Sequence, residues 1–205
     1  MSKEHWDNSF SDKDYVYGEE PNEFIKEMST RISEHTKVAC FAEGEGRNAI
    51  YIAKQGHDVT AFDQSIVGLN KTKALAEKNG VFVETVERDL TKDKVIKEQF
   101  DAAILVFGHV PKQDQEFFIK NVMESVKPGG LVMFEVYSEA QIDYNTGGPG
   151  VMDRLYNPQD ILRWISDYKC LHFYYGEAER HEGKRHSGKC HVVQVVVEIE
   201  DIPGN

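Results

Sequence analysis

The chain has 205 residues, about the size of one α/β domain, and its 40% hydrophobic and 29% charged residues are typical of a soluble globular protein. The net charge of −11 disfavours binding to nucleic acid, whose phosphates require lysine and arginine, and binding to an anionic membrane surface. The polar N-terminus lacks the apolar core of a signal peptide, and no segment is apolar enough to span a membrane. We therefore expect a cytoplasmic protein without nucleic-acid or membrane partners.

The predicted elements alternate between strands and helices from residue 36 onward. Strands are expected at residues 37–41, 58–62, 81–86, 101–107 and 131–136, and helices at residues 46–55, 66–78 and 113–125. The apolar run DAAILVF at 101–107 is typical of a strand that is covered on both faces. This alternation predicts βαβ units and a parallel sheet, with right-handed crossovers that place helices on both faces.

The pattern changes after the fifth strand. The elements expected there are a long glycine-rich loop at 137–157, a helix at 158–167 and two strands at 169–177 and 189–198. These last strands would form an antiparallel hairpin joined by the charged loop HEGKRHSG. We expect a single domain at residues 31–205, preceded by an N-terminal arm at residues 1–30.

The stretch that follows the first strand predicts a pocket for a nucleoside. Gly44 and Gly46 lie between a strand and a helix, where glycine allows the backbone to approach a ligand closely. Asp63 ends the second strand, and a carboxylate there can accept hydrogen bonds from both hydroxyls of a ribose. Together these features indicate a nucleoside-type cofactor at the carboxyl ends of the strands.

Two glutamates in the turn, Glu43 and Glu45, help to choose between cofactors. The pattern Gly44-x-Gly46-x-x-Ala49 satisfies a loose dinucleotide fingerprint, but the glutamates would repel a pyrophosphate by a few kcal/mol. S-adenosylmethionine has a ribose without a phosphate and carries a sulfonium and an ammonium, so acidic residues suit it. Its carboxylate could bind backbone amides or Arg47. The alternative is that both glutamates point to water.

Five segments carry a family resemblance, namely YVYGEEPNEF, EGEGRNAIYIAKQGHDVTAFDQS, FDAAILVFGHVP, VKPGGLVMFE and EGKRHSGKCHVVQVV. They span nearly the whole chain, which resembles class I S-adenosylmethionine-dependent methyltransferases and, within them, the small tellurite-resistance-type methyltransferases. The resemblance implies a doubly wound, Rossmann-like α/β fold of seven mostly parallel strands, with the last strand antiparallel. The usual acid-x-glycine opening is replaced by Cys40-Phe41-Ala42, so the acid role falls to Glu43.

The resemblance also implies roles for individual residues. The arm would fold over the cofactor as a lid, the glycine turn would wrap the methionine moiety, and Asp63 would bind the ribose. Asp89 and Leu90 would contact the adenine, and Phe107 would lie under the sulfonium. The implied cofactor-binding residues are Tyr17, Glu43, Gly44, Glu45, Gly46, Arg47, Asp63, Gln64, Ser65, Asp89, Leu90, Phe107 and Gly108.

Methyl transfer requires alignment of the acceptor and exclusion of water, and a base only where the acceptor must lose a proton. The candidate catalytic residues are His109, Arg180 and His186. For His109 the alternative is a cap on the loop before Pro111, and for the other two a solvated hairpin turn. No metal is expected, since the histidines and cysteines match no zinc spacing.

The sequence thus predicts a methyltransferase that acts on a small-molecule acceptor. Family analogy alone suggests a thiol or a chalcogen oxyanion as the acceptor. One alternative is a nicotinamide-dependent oxidoreductase of the same topology. Another is a non-catalytic protein that binds S-adenosylmethionine.

Overall fold

The computed structural model of the chain describes residues 3–12, 14–183 and 186–200. Its strands are β1 (Lys37–Phe41), β2 (Asp58–Asp63), β3 (Glu84–Glu87), β4 (Phe100–Val106), β5 (Val126–Tyr137), β6 (Lys169–Glu182) and β7 (His186–Glu198). Its α-helices are α1 (Lys3–Ser9), α2 (Glu23–Met28), α3 (Arg47–Lys54), α4 (Ile66–Lys78), α5 (Lys112–Glu124) and α6 (Pro158–Trp164). Short 3₁₀ helices lie at Ser29–Arg31, Glu139–Asp143 and Met152–Arg154.

The strands form one seven-stranded sheet in the order β3-β2-β1-β4-β5-β7-β6. The first five strands in this order are parallel, and β7 runs antiparallel to both of its neighbours. The predicted fold class is therefore confirmed. Because Phe41 pairs with Phe62 on one side and with Leu105 on the other, the carboxyl ends of β1, β2 and β4 lie side by side. The loops that follow these strands consequently meet at one edge of the sheet.

Apolar layers cover both faces of the sheet. In β1, Val38 and Cys40 belong to the layer under α2, α3 and α4, whereas Ala39 and Phe41 belong to the layer under α5 and α6. This alternation follows from the two-residue period of a strand. A central strand that is buried on both faces must be apolar at every position, which explains the continuous apolar runs in the sequence.

Several predicted boundaries are wrong. The fifth strand begins at Val126 rather than at residue 131, and the last helix ends at Trp164 rather than at residue 167. The third strand begins at Glu84 rather than at residue 81, because the amide of Val81 donates to the carbonyl of Ala76 and closes the end of α4. The charged loop HEGKRHSG is mostly strand, since Glu182 pairs with His186 across the tip of the hairpin. Lys184 and Arg185 of that loop lie outside the described residues.

The N-terminal arm consists of α1, an extended segment and α2. Three residues of α2, namely Phe24, Ile25 and Met28, are buried in the main core, so this end of the arm is part of the packed domain. The division into arm and domain stays a prediction. Within the described ranges, no helix is both long and apolar enough to cross a membrane.

Candidate functional site

A cavity of about 420 Å³ opens at the carboxyl edge of the sheet, within the size range of small-molecule sites. It is lined by the loops after β1 to β4, by the arm and by the β6–β7 hairpin. The predicted site residues that line it are Tyr17, Glu43, Gly44, Glu45, Arg47, Asp63, Gln64, Asp89, Leu90, Phe107, Gly108, His109 and His186. Three described residues that were also predicted do not line it, namely Gly46, Ser65 and Arg180.

The two glycines of the β1 turn adopt left-handed backbone conformations, with φ of 60° at Gly44 and 94° at Gly46. A Cβ on Gly44 would lie 2.9 Å from the ring of Phe10, and one on Gly46 would lie 2.8 Å from Thr72. Glycine is therefore required for the close approach of the arm and of α4 to this turn. Gly46 packs against Thr72 of α4 and does not line the cavity.

Glu43 and Asp63 are buried acids in this cavity. A carboxylate oxygen of Glu43 accepts from the amide of Ala49 at 2.8 Å, and burial raises the pKa of Glu43 to about 7. Asp63 accepts from the amides of Gly44 at 2.9 Å and Ser65 at 2.8 Å, and burial raises its pKa to about 6. Both carboxyl groups would gain from a ligand that brings a positive charge or hydroxyl donors.

Glu45 also lines the cavity, but its carboxylate already has partners within the protein. It accepts from the backbone amides of Val16 at 2.8 Å and Tyr17 at 3.3 Å, and it pairs with Lys71 at 2.7 Å. The Lys71 ammonium also donates to the carbonyl of Asp14. Glu45 therefore binds the extended segment of the arm and Lys71. Its contact with a cationic ligand stays a prediction.

Arg47, the first residue of α3, places a buried guanidinium at the cavity. Its Nη2 lies 2.6 Å from a carboxylate oxygen of Glu182. Its Nη1 is buried and has no hydrogen-bond partner among the described residues. An unpaired buried donor of this kind is suited to an anionic group of a ligand.

Arg180 lies in a different environment from the one that the sequence predicted. It belongs to strand β6 instead of a loop, and its guanidinium donates from Nε and Nη2 to the two carboxylate oxygens of Glu135. Glu135 is fully buried, so this pair is shielded from water. Arg180 does not line the cavity, so its predicted catalytic role has no support from a direct contact with a bound ligand.

Aromatic rings line the cavity beyond β4. The rings of Phe107 and Tyr137 stack with centroids 4.2 Å apart, and His109 stacks on Tyr137 at 5.4 Å. His186 meets Phe107 edge-on at 4.6 Å and lies 4.7 Å from Tyr17 of the arm. Phe107 has a φ of 52°, a conformation that is rare for a bulky residue and that aims the ring into this cluster.

His109 is held in one tautomer. Its Nδ1 lies 2.9 Å from the carbonyl oxygen of Arg154, which can only accept, so Nδ1 carries the proton. Its Nε2 therefore presents a lone pair, and this buried atom has no hydrogen-bond partner among the described residues. Burial lowers the pKa of His109 to about 4, so the imidazole is neutral at pH 7. This ring can accept a hydrogen bond from a bound molecule.

Several cavity residues were missed from the sequence. Trp6 and Phe10 of the arm line the cavity and stack with centroids 5.5 Å apart. Their spacing of four residues was a usable signal for one face of a helix. Arg88 lines the cavity next to the predicted Asp89, and Asn48 follows Arg47. No group of three or more metal-ligating side chains occurs in the part of the chain that the structure describes.

Residues 38–130 match the family model described as "Methyltransferase domain". The chain is 32% identical over 107 residues to the probable S-adenosyl-L-methionine-dependent methyltransferase TehB of Haemophilus influenzae. This alignment covers 50% of this chain and 36% of that protein. It is 30% identical over 130 residues to the ubiquinone biosynthesis O-methyltransferase of Rickettsia conorii, with 60% and 42% covered. The chain thus spans less than half the length of the curated relatives that it matches.

Solved structures extend the similarity to most of the chain. The crystal structure of TehB from Haemophilus influenzae superimposes with a TM-score of 0.70 at 19% identity and covers 84% of this chain and 60% of that one. A TehB-like S-adenosylmethionine-dependent methyltransferase from Corynebacterium glutamicum gives a TM-score of 0.62 at 17% identity, with 96% and 95% covered. At these identities the structural likeness shows a shared fold.

Proposed function

We propose that this chain is a class I S-adenosylmethionine-dependent methyltransferase similar to TehB, and that it transfers a methyl group to a small-molecule acceptor bound beside His109. The observation that carries the proposal is the order of groups along one cavity. Buried Glu43 and Arg47 lie at the β1 turn, Asp63 lies at the end of β2, and the neutral His109 lies beyond β4. The first three suit a zwitterionic nucleoside, and the last suits an acceptor that donates a hydrogen bond.

The residues present fit the cofactor. Unpaired Nη1 of Arg47 is available to the carboxylate of the methionine moiety, and the acid of Glu43 is available to its ammonium. Asp63 still has lone pairs for ribose hydroxyls after it accepts two backbone amides. When bound, the cofactor supplies a methyl group activated by the sulfonium.

The aromatic cluster favours a neutral protic acceptor, such as a thiol, over a chalcogen oxyanion. The arginines that line the cavity, among the described residues, are Arg47 and Arg88, which follow β1 and β3 rather than β4. At the β4 end, His109 offers a lone pair, which would repel an oxyanion and attract an S–H or O–H group. Nε2 of His109 would accept a hydrogen bond from the S–H or O–H group of a bound acceptor and so orient that group.

His109→Gln tests this proposal. A panel of thiols, phenols and tellurium or selenium oxyanions is incubated with the protein and cofactor carrying a labelled methyl group. We expect methylation of thiols and a loss of about 10²-fold in turnover for the variant, because the acceptor loses the hydrogen bond that positions it, with binding of S-adenosylhomocysteine retained. Methylation of the oxyanions alone would contradict the acceptor class. Binding of the cofactor without transfer to any acceptor would favour the non-catalytic alternative.

The cytoplasmic location and the lid function of the arm remain predictions. In support of the lid, Trp6, Phe10 and Tyr17 line the cavity from the arm, and Glu45 and Lys71 hold the extended segment in place. A closed arm would exclude water from the reacting groups, which methyl transfer requires.

A further inference from the structure

Behind the cavity lies a buried cluster of two arginines, two glutamates and one asparagine, namely Arg47, Arg180, Glu135, Glu182 and Asn22. The two positive and two negative charges balance. Asn22 is fully buried, and its side-chain amide donates to Glu135 at 2.8 Å and to Glu182 at 2.9 Å. Because ions lose hydration on burial, a cluster of this kind persists only when each charge has a partner.

Within this cluster, Arg180 and Glu135 form a bidentate ion pair, whereas Arg47 contacts Glu182 through one nitrogen. Arg180 uses two nitrogens on Glu135, and Gln194 donates a further hydrogen bond to that carboxylate at 2.7 Å. The Arg47 guanidinium has only its Nη2 edge on Glu182, and its Nη1 is left without a described partner beside the cavity. The ion pair thus orients Arg47 without neutralising its whole guanidinium.

We propose that Glu182 is a positioning residue, which holds Arg47 so that the guanidinium presents Nη1 to the carboxylate of the cofactor's methionine moiety. The inference rests on the proposed cofactor. It assigns to the β6–β7 hairpin a part in cofactor recognition, although Glu182 does not itself line the cavity.

The second acid near Arg47 shows why such a partner is needed. The positive charge of Arg47 acts on Glu43 and lowers its pKa, against the larger opposite effect of burial. Without Glu182, the guanidinium would be free to turn toward Glu43 and neutralise it. The cavity would then lose both the cation for the ligand carboxylate and the anion for the ligand ammonium. Glu182 keeps these two charges separate, as a zwitterionic ligand requires.

The test compares two ligands that differ only at the methionine end. S-adenosylhomocysteine carries the amino-acid group, whereas 5′-methylthioadenosine is an adenosine thioether that lacks it. For Glu182→Gln we expect the Kd of S-adenosylhomocysteine to rise about tenfold, or 1.4 kcal/mol, and the Kd of 5′-methylthioadenosine to change by less than about twofold. The control is Glu179→Gln, an equal charge change at a side chain with 71% exposure on the same strand, which should alter neither.

Two further variants keep the test decisive if a lone Arg47 charge destabilises the fold. Arg47→Gln with Glu182→Gln removes both partners and leaves no unpaired buried ion. We expect this double variant to bind S-adenosylhomocysteine as weakly as Arg47→Gln does alone, because the other partners of Glu182, Asn22 at 2.9 Å and Arg180 at 3.7 Å, do not line the cavity. Glu182→Asp retains the charge and should show a smaller loss that is again confined to S-adenosylhomocysteine.

If Glu182→Gln raised the Kd of both ligands equally, the role of Glu182 would be purely structural and the inference would be overturned. An unchanged Kd for both ligands would also overturn it. Failure of the unmodified protein to bind S-adenosylhomocysteine would overturn the cofactor assignment and the inference together. Selective weakening in a protein that methylates no acceptor would support the inference while the proposed transferase activity fails.

Discussion

Glu43→Gln should stabilise the unliganded protein at alkaline pH and weaken its cofactor binding. Burial raises the pKa of Glu43 from 4.5 to about 7. Between these values the folded protein retains a proton that the unfolded chain has released. The resulting stability is fully present below pH 4.5 and is lost as the pH rises through 7. A glutamine at this position has no charge to desolvate, so the variant should escape this loss.

The difference between a pKa of 4.5 and a pKa of about 7 means that ionisation of Glu43 lowers the free energy of unfolding by about 3 kcal/mol. Near pH 5 most of that penalty is absent, because the folded protein keeps the proton and the unfolded chain has only begun to lose it. The stability of the variant relative to the parent should therefore increase by roughly 2–3 kcal/mol between about pH 5 and pH 8.5. For a chain of this length, that is a relative gain of about 4–12 °C in Tm.

Urea unfolding at both pH values measures the effect, with Glu77→Gln on the exposed face of α4 as the control. The control should follow the parent at both pH values. The reasoning is refuted if Glu43→Gln also shows the parent's pH dependence, since Glu43 would then be ionised at little energetic cost. The same variant should bind S-adenosylhomocysteine more weakly, because the ammonium loses its acidic partner. Higher stability together with weaker binding would show that the buried charge of Glu43 lowers stability and contributes to ligand binding.

Three other variants test separate parts of the site. Asp63→Ala should raise the Kd of S-adenosylhomocysteine at least about tenfold, because the ribose hydroxyls lose an acceptor; unchanged affinity by calorimetry would refute that role. Glu45→Gln should speed amide hydrogen exchange at Val16 and Tyr17, since these two amides lose a charged acceptor, and unaltered exchange would show that the arm is held elsewhere. Arg180→Ala leaves Glu135 buried and unpaired, so it should lower the free energy of unfolding by about 3–5 kcal/mol, whereas normal stability with lost turnover would restore a direct catalytic role.

The central strands and the glycine turn could be predicted because their signals are local. β1 and β4 contain continuous apolar runs, and Asp63 ends β2 at the expected position. The pairing of Glu45 with the arm could not be predicted, because it depends on where residues 14–17 cross the turn. Nothing within the turn itself distinguishes a glutamate that faces a ligand from one that binds backbone amides.

The hairpin shows a different limit. Its charged residues resemble a solvated loop, and charge patterns of that kind usually are exposed. Arg180 and Glu182 are buried because Glu135, on the neighbouring part of the sheet, and Arg47, at the start of α3, supply opposite charges. These partners are distant in the sequence, so only the folded chain reveals that the charges compensate each other.

The most direct test of the proposed activity class is calorimetric titration of the unmodified protein with S-adenosylhomocysteine and, separately, with NADH. Glu43 and Arg47 suit the two charges of a zwitterion, and the buried carboxylate of Glu43 in the β1 turn disfavours a pyrophosphate. We therefore predict micromolar binding of S-adenosylhomocysteine and no detectable binding of NADH. Micromolar binding of NADH without binding of S-adenosylhomocysteine would contradict a methyltransferase and favour an oxidoreductase.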